Sequence, residues 1–428
     1  MLTGMREHEF FDRGEWPDKW ADNYREYEGF VLNPQCSGID RKYFLKFDCL
    51  GNGWGLYASY VIGAQWIDDK ETKSLVVTPK KGFEQIPFLS MLQGCMRFGT
   101  LDNATGVIFD IDESKPHITA PMLKGVLSPL LVACFVSEMR KLVKHGLMRD
   151  YISRQDNLHK AKGRIDIRLN ERVNIRNGRY DRIVCQYDEY TVDIPENRLL
   201  KACLLACRSL LAQYCLIDKA GGLYMSETVV WLNKLPCHFE SVGDWNHNVI
   251  FQRRKRMRED YRSCLSLAKM IIRRQDRSIA ERGKTNAVPC FWIDMALLFE
   301  RYVLGLLRSG YGDDVLYQVK GVMAERPDFL LRHGGEKLIL DSKYMVNVED
   351  KIDIIRQLSG YARDIAIQKI LGVDKDKVIP CVLIYPEFVG SGNPSSHSFA
   401  LDNSQSLLQS CKKIDGFSEF YSLSVPIG

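Results

Sequence analysis

Residues 326–344 read RPDFLLRHGGEKLILDSKY, and this stretch predicts a β-hairpin. Two apolar-rich runs flank Gly334-Gly335, a pair that adopts the φ > 0 conformations of a tight turn. A turn centred on this pair places Asp328 opposite Asp341, and Lys343, two residues further on, points to the same face as Asp341. A four-residue loop keeps this register, whereas a loop of odd length shifts it.

Two carboxylates that face each other across a hairpin, with Cβ atoms about 5 Å apart, destabilise it. A divalent cation between them removes that cost, and Mg²⁺ binds through a few carboxylates while keeping several waters. A lysine beside the ion can orient or deprotonate an attacking water, or stabilise the developing charge. The stretch therefore predicts either a metal-dependent hydrolytic site or, as the alternative, a solvated hairpin with scattered charges.

Length and composition predict a globular protein of two or three domains. The chain has 428 residues, 45% of them hydrophobic and 26% charged, with a formal net charge of +5. The 13 cysteines form no Cys-x-x-Cys pair, which argues against a zinc site or a disulfide framework. No signal peptide and no apolar run of about 20 residues is visible, so we expect a cytoplasmic protein without a membrane span.

We predict a multidomain α/β and α+β protein with three segments. Residues 1–125 form a β-rich module, residues 126–285 a mostly helical middle region, and residues 286–428 an α/β domain. Strands of the first segment are predicted at 42–49, 55–67, 74–79 and 107–111. In the second segment, helices are predicted at 128–146, 198–216 and 257–272, and strands at 163–168 and 183–187. The first 40 residues or so and the tail after about residue 390 carry no motif that we can place.

Basic residues concentrate near both ends of the helix predicted at 257–272. They could contact a phosphate backbone, or they could form a solvated helix face balanced by Glu259 and Asp260. The candidates for DNA contact are Arg253, Arg254, Lys255, Arg256, Arg258, Arg273 and Arg274.

The C-terminal segment places further polar residues around the hairpin. Its predicted elements are a helix at 293–309, a strand at 315–319, the hairpin, a helix at 349–370, and strands at 378–385 and 420–426. Gln357 and Tyr361 lie four residues apart, so they share one face of their helix. Glu300, on the preceding helix, is either a further acidic site residue or a surface glutamate beside Arg301.

This order of elements, with Pro327-Asp328, Asp341-Ser342-Lys343 and the Gln357/Tyr361 pair, resembles the PD-(D/E)xK nuclease fold of the RecB-type subgroup. Upstream stretches resemble McrC-type proteins of modification-dependent (5-methylcytosine) restriction systems. These stretches are VIG (61–63), LVVTPK (75–80), ML (91–92), GRID (163–166) and NRLLK (197–201). Together the similarity spans roughly residues 40 to 390.

The resemblance implies an endonuclease subunit that cuts DNA by Mg²⁺- or Mn²⁺-dependent phosphodiester hydrolysis. Asp328, Asp341 and the Ser342 carbonyl would be metal ligands, with Glu300 as a further candidate ligand. Lys343, Gln357 and Tyr361 would complete the catalytic set. The implied partners are an AAA+ GTPase hexamer of the McrB type and double-stranded DNA with modified cytosine. GTP would bind to the partner, since this sequence has no Gly-x-x-x-x-Gly-Lys-Ser/Thr loop.

Two alternatives stay open from the sequence. One is a stand-alone RecB-like DNA repair nuclease. The other is a non-catalytic activator or scaffold of an AAA+ GTPase, in which the nuclease fold has decayed, although the presence of Asp328, Asp341 and Lys343 argues against decay.

Overall fold

The computed structural model describes most of the chain as a mixture of helices and several sheets, which agrees with the predicted class. It describes residues 2–7, 10–12, 45–50, 53–66, 74–79, 91–92, 94–95, 98–100, 107–112, 115–120, 127–217, 226–246, 257–280, 287–322, 326–345, 352–374, 377–388 and 406–427. Two compact units are present. The first comprises Met1–Cys134, Asp218–Glu227 and Gly283–Gly428, and the second comprises Phe135–Ile217 and Thr228–Arg282.

The strands, in chain order, are β1 (Leu2–Arg6), β2 (Phe10–Asp12), β3 (Leu45–Leu50), β4 (Gly53–Ala58), β5 (Val61–Trp66), β6 (Ser74–Thr78), β7 (Phe109–Asp112), β8 (Ile118–Thr119), β9 (Asp150–Leu158), β10 (Arg164–Ile165), β11 (Ile183–Thr191), β12 (Ala287–Val288), β13 (Cys290–Asp294), β14 (Val315–Tyr317), β15 (Phe329–His333), β16 (Glu336–Ser342), β17 (Cys381–Phe388), β18 (Lys412–Lys413) and β19 (Phe420–Ile427). The α-helices are α1 (Leu127–Lys144), α2 (Ile167–Val173), α3 (Pro195–Ile217), α4 (Ser226–Lys234), α5 (Glu259–Ala280), α6 (Met295–Tyr311), α7 (Ile352–Ala362) and α8 (Ile365–Leu371).

A five-stranded sheet in the first unit joins strands that are distant in sequence. Its order is β1-β6-β5-β13-β7, so residues from the predicted first and third segments share one sheet. Strands β5 and β13 approach each other closely at Gly63. A Cβ at this position would lie 2.1 Å from the Phe291 carbonyl oxygen, so a residue with a side chain would not fit. The run predicted as one strand at 55–67 is two strands, β4 and β5, which belong to different sheets.

The second unit combines helices with a three-stranded sheet, β10-β11-β9, in which β9 is a strand that the sequence did not predict. The predicted strand at 163–168 is wrong beyond Ile165. Asp166 Oδ1 accepts a hydrogen bond from the Leu169 backbone N–H at 3.0 Å and so begins helix α2. The partner strand predicted at 183–187 is present within β11.

A six-stranded sheet, β14-β15-β16-β17-β19-β18, carries the hairpin of the first unit. Helices α7 and α8 cover a cluster of buried residues on one face, which includes Leu330, Ile339, Leu358 and Ile367. Because side chains alternate along a strand, the neighbouring residues of β15 and β16 point to the other face, where α6 contacts β14 and β16. The hairpin strands are therefore buried on both faces, apart from their turn.

The helix predicted at 349–370 is wrong as a single element. It consists of α7 and α8, because Asp364 starts a new helix by accepting hydrogen bonds from the backbone N–H groups of Ala366 and Ile367. Within the described parts of the chain, no helix is both long and apolar enough to cross a lipid bilayer.

Candidate active site

The hairpin register places the two predicted acids opposite each other. Phe329 pairs with Leu340 and His333 with Glu336, and the turn residues Gly334 and Gly335 have φ of 56° and 91°. Asp328 and Asp341 are the next residues along the two strands after the Phe329–Leu340 pair, so they face each other in this register. The predicted register is thus confirmed.

Ser342, the residue that follows Asp341, holds the side chain of Asp328 by two hydrogen bonds. Both the backbone N–H and the hydroxyl of Ser342 donate to Asp328 Oδ2, each at 2.7 Å. Burial raises the pKa of Asp328, and the charges of Asp341 and Glu300 raise it further, against the opposing effects of Lys343 and Ser342. Asp328 therefore lies within electrostatic reach of two other carboxyl groups.

Asp341 and Lys343 form an ion pair, with Lys343 Nζ 2.8 Å from Asp341 Oδ2. Asp341 is 1% exposed, whereas about a third of the Lys343 side chain, 32%, is accessible. Burial raises the pKa of Asp341, although Lys343 opposes the shift. For Lys343, burial alone would lower the pKa, but the attraction of Asp341 and Asp328 outweighs it and the pKa is raised.

Glu300 approaches the acidic pair from helix α6. Its Oε1 accepts hydrogen bonds from the Tyr317 hydroxyl and the Gln318 side-chain amide, both at 2.7 Å. Burial raises the pKa of Glu300, while these two donors and Arg301 oppose the shift. Glu300 is thus a half-buried carboxyl group beside the site rather than a freely solvated surface glutamate.

Gln357 and Tyr361 contact each other on helix α7, where Gln357 Nε2 donates to the Tyr361 hydroxyl at 2.9 Å. Tyr361 is 1% exposed and belongs to the core beneath α7 and α8, so its ring does not lie on an open surface. Its hydroxyl contributes to the electrostatic environment of Lys343. The arrangement suits support of the lysine better than direct contact with DNA.

The acidic pair has the chemistry that a hydrated magnesium ion requires. Asp341 Oδ2 is buried, and its close polar neighbour is the Lys343 ammonium group at 2.8 Å. No group of three or more His, Cys, Asp or Glu side chains among the described residues is close enough to hold a metal by itself. A cation here would therefore rely on two carboxylates plus water or substrate oxygens, which suits Mg²⁺.

The structure describes three of the seven basic residues that were predicted to contact DNA. Arg253, Arg254, Lys255 and Arg256 lie outside the described residues. Arg258 is engaged within the protein, since its guanidinium pairs with Asp260 and donates to the Gly146 carbonyl at 3.1 Å. Arg273 is exposed on α5, and Arg274 follows it on the same helix. DNA contact by this set stays a prediction.

Sequence reasoning missed Tyr317 and Gln318, the two donors to Glu300. Tyr317 ends β14, and Gln318 has a positive φ of 46°, a conformation for which glutamine gives no sequence signal. The Ser342 hydroxyl was also missed as a partner of Asp328. Its only signal was its place between Asp341 and Lys343.

Comparison with known proteins decides the family. The family model described as McrBC 5-methylcytosine restriction system component matches residues 72–363, more than half of the chain. This chain belongs to that family. The predicted relationship to McrBC restriction systems is therefore confirmed, and the chain is a component of such a system.

Two solved structures are similar at low identity. One is a half-complex from a tetradecameric assembly of Thermococcus gammatolerans McrB AAA+ hexamers with bound McrC, with 17% identity, a TM-score of 0.38, and coverage of 99% of this chain and 93% of that chain. The other is the Thermococcus gammatolerans McrBC complex, with 16% identity, a TM-score of 0.30, and coverage of 71% and 86%. No curated protein matches the sequence.

Proposed function

We propose that this McrBC family member is the McrC-type endonuclease subunit, and that it cuts DNA by Mg²⁺-dependent hydrolysis of a phosphodiester bond. The site would belong to a PD-(D/E)xK domain in the predicted segment 286–428. The observation that supports the proposal most directly is the meeting of Asp328, Asp341 and Lys343 at one end of a buried hairpin.

In this mechanism Asp328 and Asp341 would hold Mg²⁺ or Mn²⁺, and the Ser342 carbonyl would be a further ligand. A bound ion of this kind polarises the phosphate and lowers the pKa of a coordinated water. Ser342 orients Asp328 through its N–H and hydroxyl, which leaves Asp328 Oδ1 for the ion. The two acids thereby become ligands instead of two buried like charges.

Lys343 contributes charge and hydrogen bonding beside the acidic pair. In the cation-free protein, the charges of Asp341 and Asp328 raise the pKa of Lys343. An ammonium group at this place can orient the attacking water and offset the charge that develops on the phosphate. Tyr361, positioned by Gln357, supports the lysine from helix α7.

The proposed partner is an AAA+ GTPase hexamer of the McrB type that binds GTP and recognises modified cytosine in double-stranded DNA. Family membership supports this partner, and so does the lack of a Gly-x-x-x-x-Gly-Lys-Ser/Thr loop in the sequence. The region from about residue 40 to 125 would contact the GTPase and stimulate hydrolysis. Specificity would then reside in the partner, and phosphate contacts of this chain would only position the duplex.

The test is cleavage of methylated plasmid by the purified chain with its partner GTPase, GTP and Mg²⁺. We expect Asp341→Ala to abolish cleavage and Lys343→Ala to slow it about 10²- to 10⁴-fold, the range for a positioned acid–base or charge-stabilising group. Gln357→Ala should have a smaller effect. Lys337→Ala is the matched control, because Lys337 lies on the same hairpin but donates to the Gly372 carbonyl near the turn.

Stimulation of the GTPase by each variant reports whether the subunit is folded and bound to its partner. Full cleavage by Asp341→Ala would exclude the assigned site. Cleavage by the purified chain without any GTPase would favour a stand-alone nuclease. Stimulation without cleavage, by the unaltered chain, would favour an activator.

A further inference from the structure

Gln318 has a backbone conformation that its residue type disfavours. Its φ of 46° lies in the left-handed region, which suits glycine but is uncommon for residues with a Cβ. Among the described non-glycine residues, Glu419 alone shares a positive φ, at 57°. Non-glycine residues in this region cluster at functional sites, where the surrounding structure holds them in place.

The contacts of Gln318 link it to two of the three acidic residues. Its backbone N–H donates to the Asp328 carbonyl at 2.9 Å, and its side-chain amide donates to Glu300 Oε1 at 2.7 Å. Glycine would satisfy the backbone at this position but could not make the second contact. The side chain therefore accounts for the presence of glutamine.

Tyr317 supplies the second donor to Glu300. Its hydroxyl donates to the same Oε1 at 2.7 Å, while its ring lies 5.9 Å from the ring of Phe329 and 4.9 Å from the Arg301 guanidinium carbon. Two donors thus occupy Oε1. Oε2 of Glu300 accepts no hydrogen bond from any described residue, so it is the oxygen left for water or another ligand.

We infer that Tyr317 and Gln318 are positioning residues that hold Glu300 beside the Asp328–Asp341 pair, where Glu300 would help to bind a divalent cation through water. The inference rests on the proposed nuclease function. Glu300 acts through water because no three acidic side chains of the described chain are close enough to bind one ion directly. Mg²⁺ commonly keeps such waters in its protein sites.

Gln318→Gly separates this role from a purely structural one. The substitution relieves the left-handed backbone and removes only the amide that reaches Glu300. In EDTA, we expect the variant to unfold at the same temperature as the unaltered chain or at a higher one. Its half-saturating Mg²⁺ concentration for thermal stabilisation should rise about 10-fold, as is typical when a residue that orients a ligand is removed.

Tyr317→Phe should raise the half-saturating Mg²⁺ concentration by a similar factor, since it removes the other donor and keeps the ring. Cleavage by both variants, measured with the partner GTPase, should fall at limiting Mg²⁺ and recover at high Mg²⁺. Glu419→Gly is the matched backbone control, because the Glu419 side chain contacts Tyr421 rather than an acidic site residue. It should leave the Mg²⁺ dependence unchanged.

An unchanged Mg²⁺ dependence in Gln318→Gly and Tyr317→Phe would overturn the inference, whether or not their stability changes. Asp328→Asn distinguishes that result from failure of the proposed function. If Mg²⁺ stabilises the unaltered chain but not Asp328→Asn, the metal site stands and only the role of Tyr317 and Gln318 is rejected. If Mg²⁺ stabilises neither, the metal site and this inference are both rejected.

Discussion

Asp328, Asp341 and Glu300 share one property, which is that burial raises the pKa of each carboxyl group. Two cations oppose them. Lys343 pairs with Asp341, and the charge of Arg301 acts on Glu300. When all five groups are ionised, the three carboxylates outnumber the two cationic side chains and the site carries a net negative charge. A divalent cation would therefore improve its electrostatic balance.

Replacing Asp328 with asparagine should stabilise the cation-free protein at pH 8. A carboxyl group whose pKa is raised by folding contributes stability below its unfolded pKa, near 3.9, and loses that contribution as the pH rises through the folded value. At pH 8 ionised Asp328 therefore opposes folding. Asparagine stays neutral, and its side-chain oxygen can still accept from Ser342.

Urea unfolding in EDTA measures this effect. We expect Asp328→Asn to raise the free energy of unfolding by roughly 1 kcal/mol at pH 8, the scale of one pKa unit. The difference should shrink as the pH falls and Asp328 of the unaltered chain becomes protonated. A variant less stable at pH 8 would show that the hydrogen bonds of the carboxylate outweigh its burial and charge repulsion.

At the scale of elements, the break between α7 and α8 rests on Asp364. One carboxylate oxygen caps α8, and the other accepts from the Val322 backbone N–H at 2.7 Å. Asp364→Ala removes the cap of α8 and the acceptor of the Val322 backbone N–H. We expect a loss of about 1–3 kcal/mol in the free energy of unfolding, from urea titrations.

Asp374→Ala is the matched control for Asp364→Ala. Its side chain is 82% exposed and pairs with Lys377, three residues on, so its removal should change stability by less than about 0.5 kcal/mol. Equal losses in the two variants would contradict the assigned role of Asp364.

The hairpin could be predicted because its signals are local. The two glycines set the turn, the turn sets the register, and the register sets which side chains face each other. The contact between Asp364 and Val322 spans 42 residues, and no local pattern encodes it. The same holds for β13, whose partners β5 and β7 lie far upstream, and for the approach of Tyr317 and Gln318 to Glu300, which depends on how α6 packs.

At the scale of the whole molecule, we expect the stability of the two units to depend on pH in opposite directions. In the second unit, hydrogen bonds from Arg198 hold the pKa of Asp193 low, and Arg258 and His145 do the same for Asp260. A pKa lowered by folding contributes stability above the unfolded pKa and loses it as the pH falls through the folded value. In the first unit, the raised pKa values of Asp328 and Asp341 give the reverse dependence.

Calorimetry in EDTA between pH 8 and pH 3 should therefore show two unfolding transitions that shift in opposite directions as the pH falls. We expect the first unit to gain stability as its carboxyl groups become protonated, and the second to lose stability below about pH 4, where Asp193 and Asp260 give up their ion pairs. Asp193→Asn identifies the second unit, because it removes the negative charge that pairs with Arg198, while the side-chain oxygen can still accept from the Gly243 backbone N–H. That variant should lower one transition at pH 7 by about 3 °C or more, and flatten its fall in acid. Two transitions that shift in parallel over the whole pH range would contradict the opposite signs, and with them the electrostatic difference between the two units.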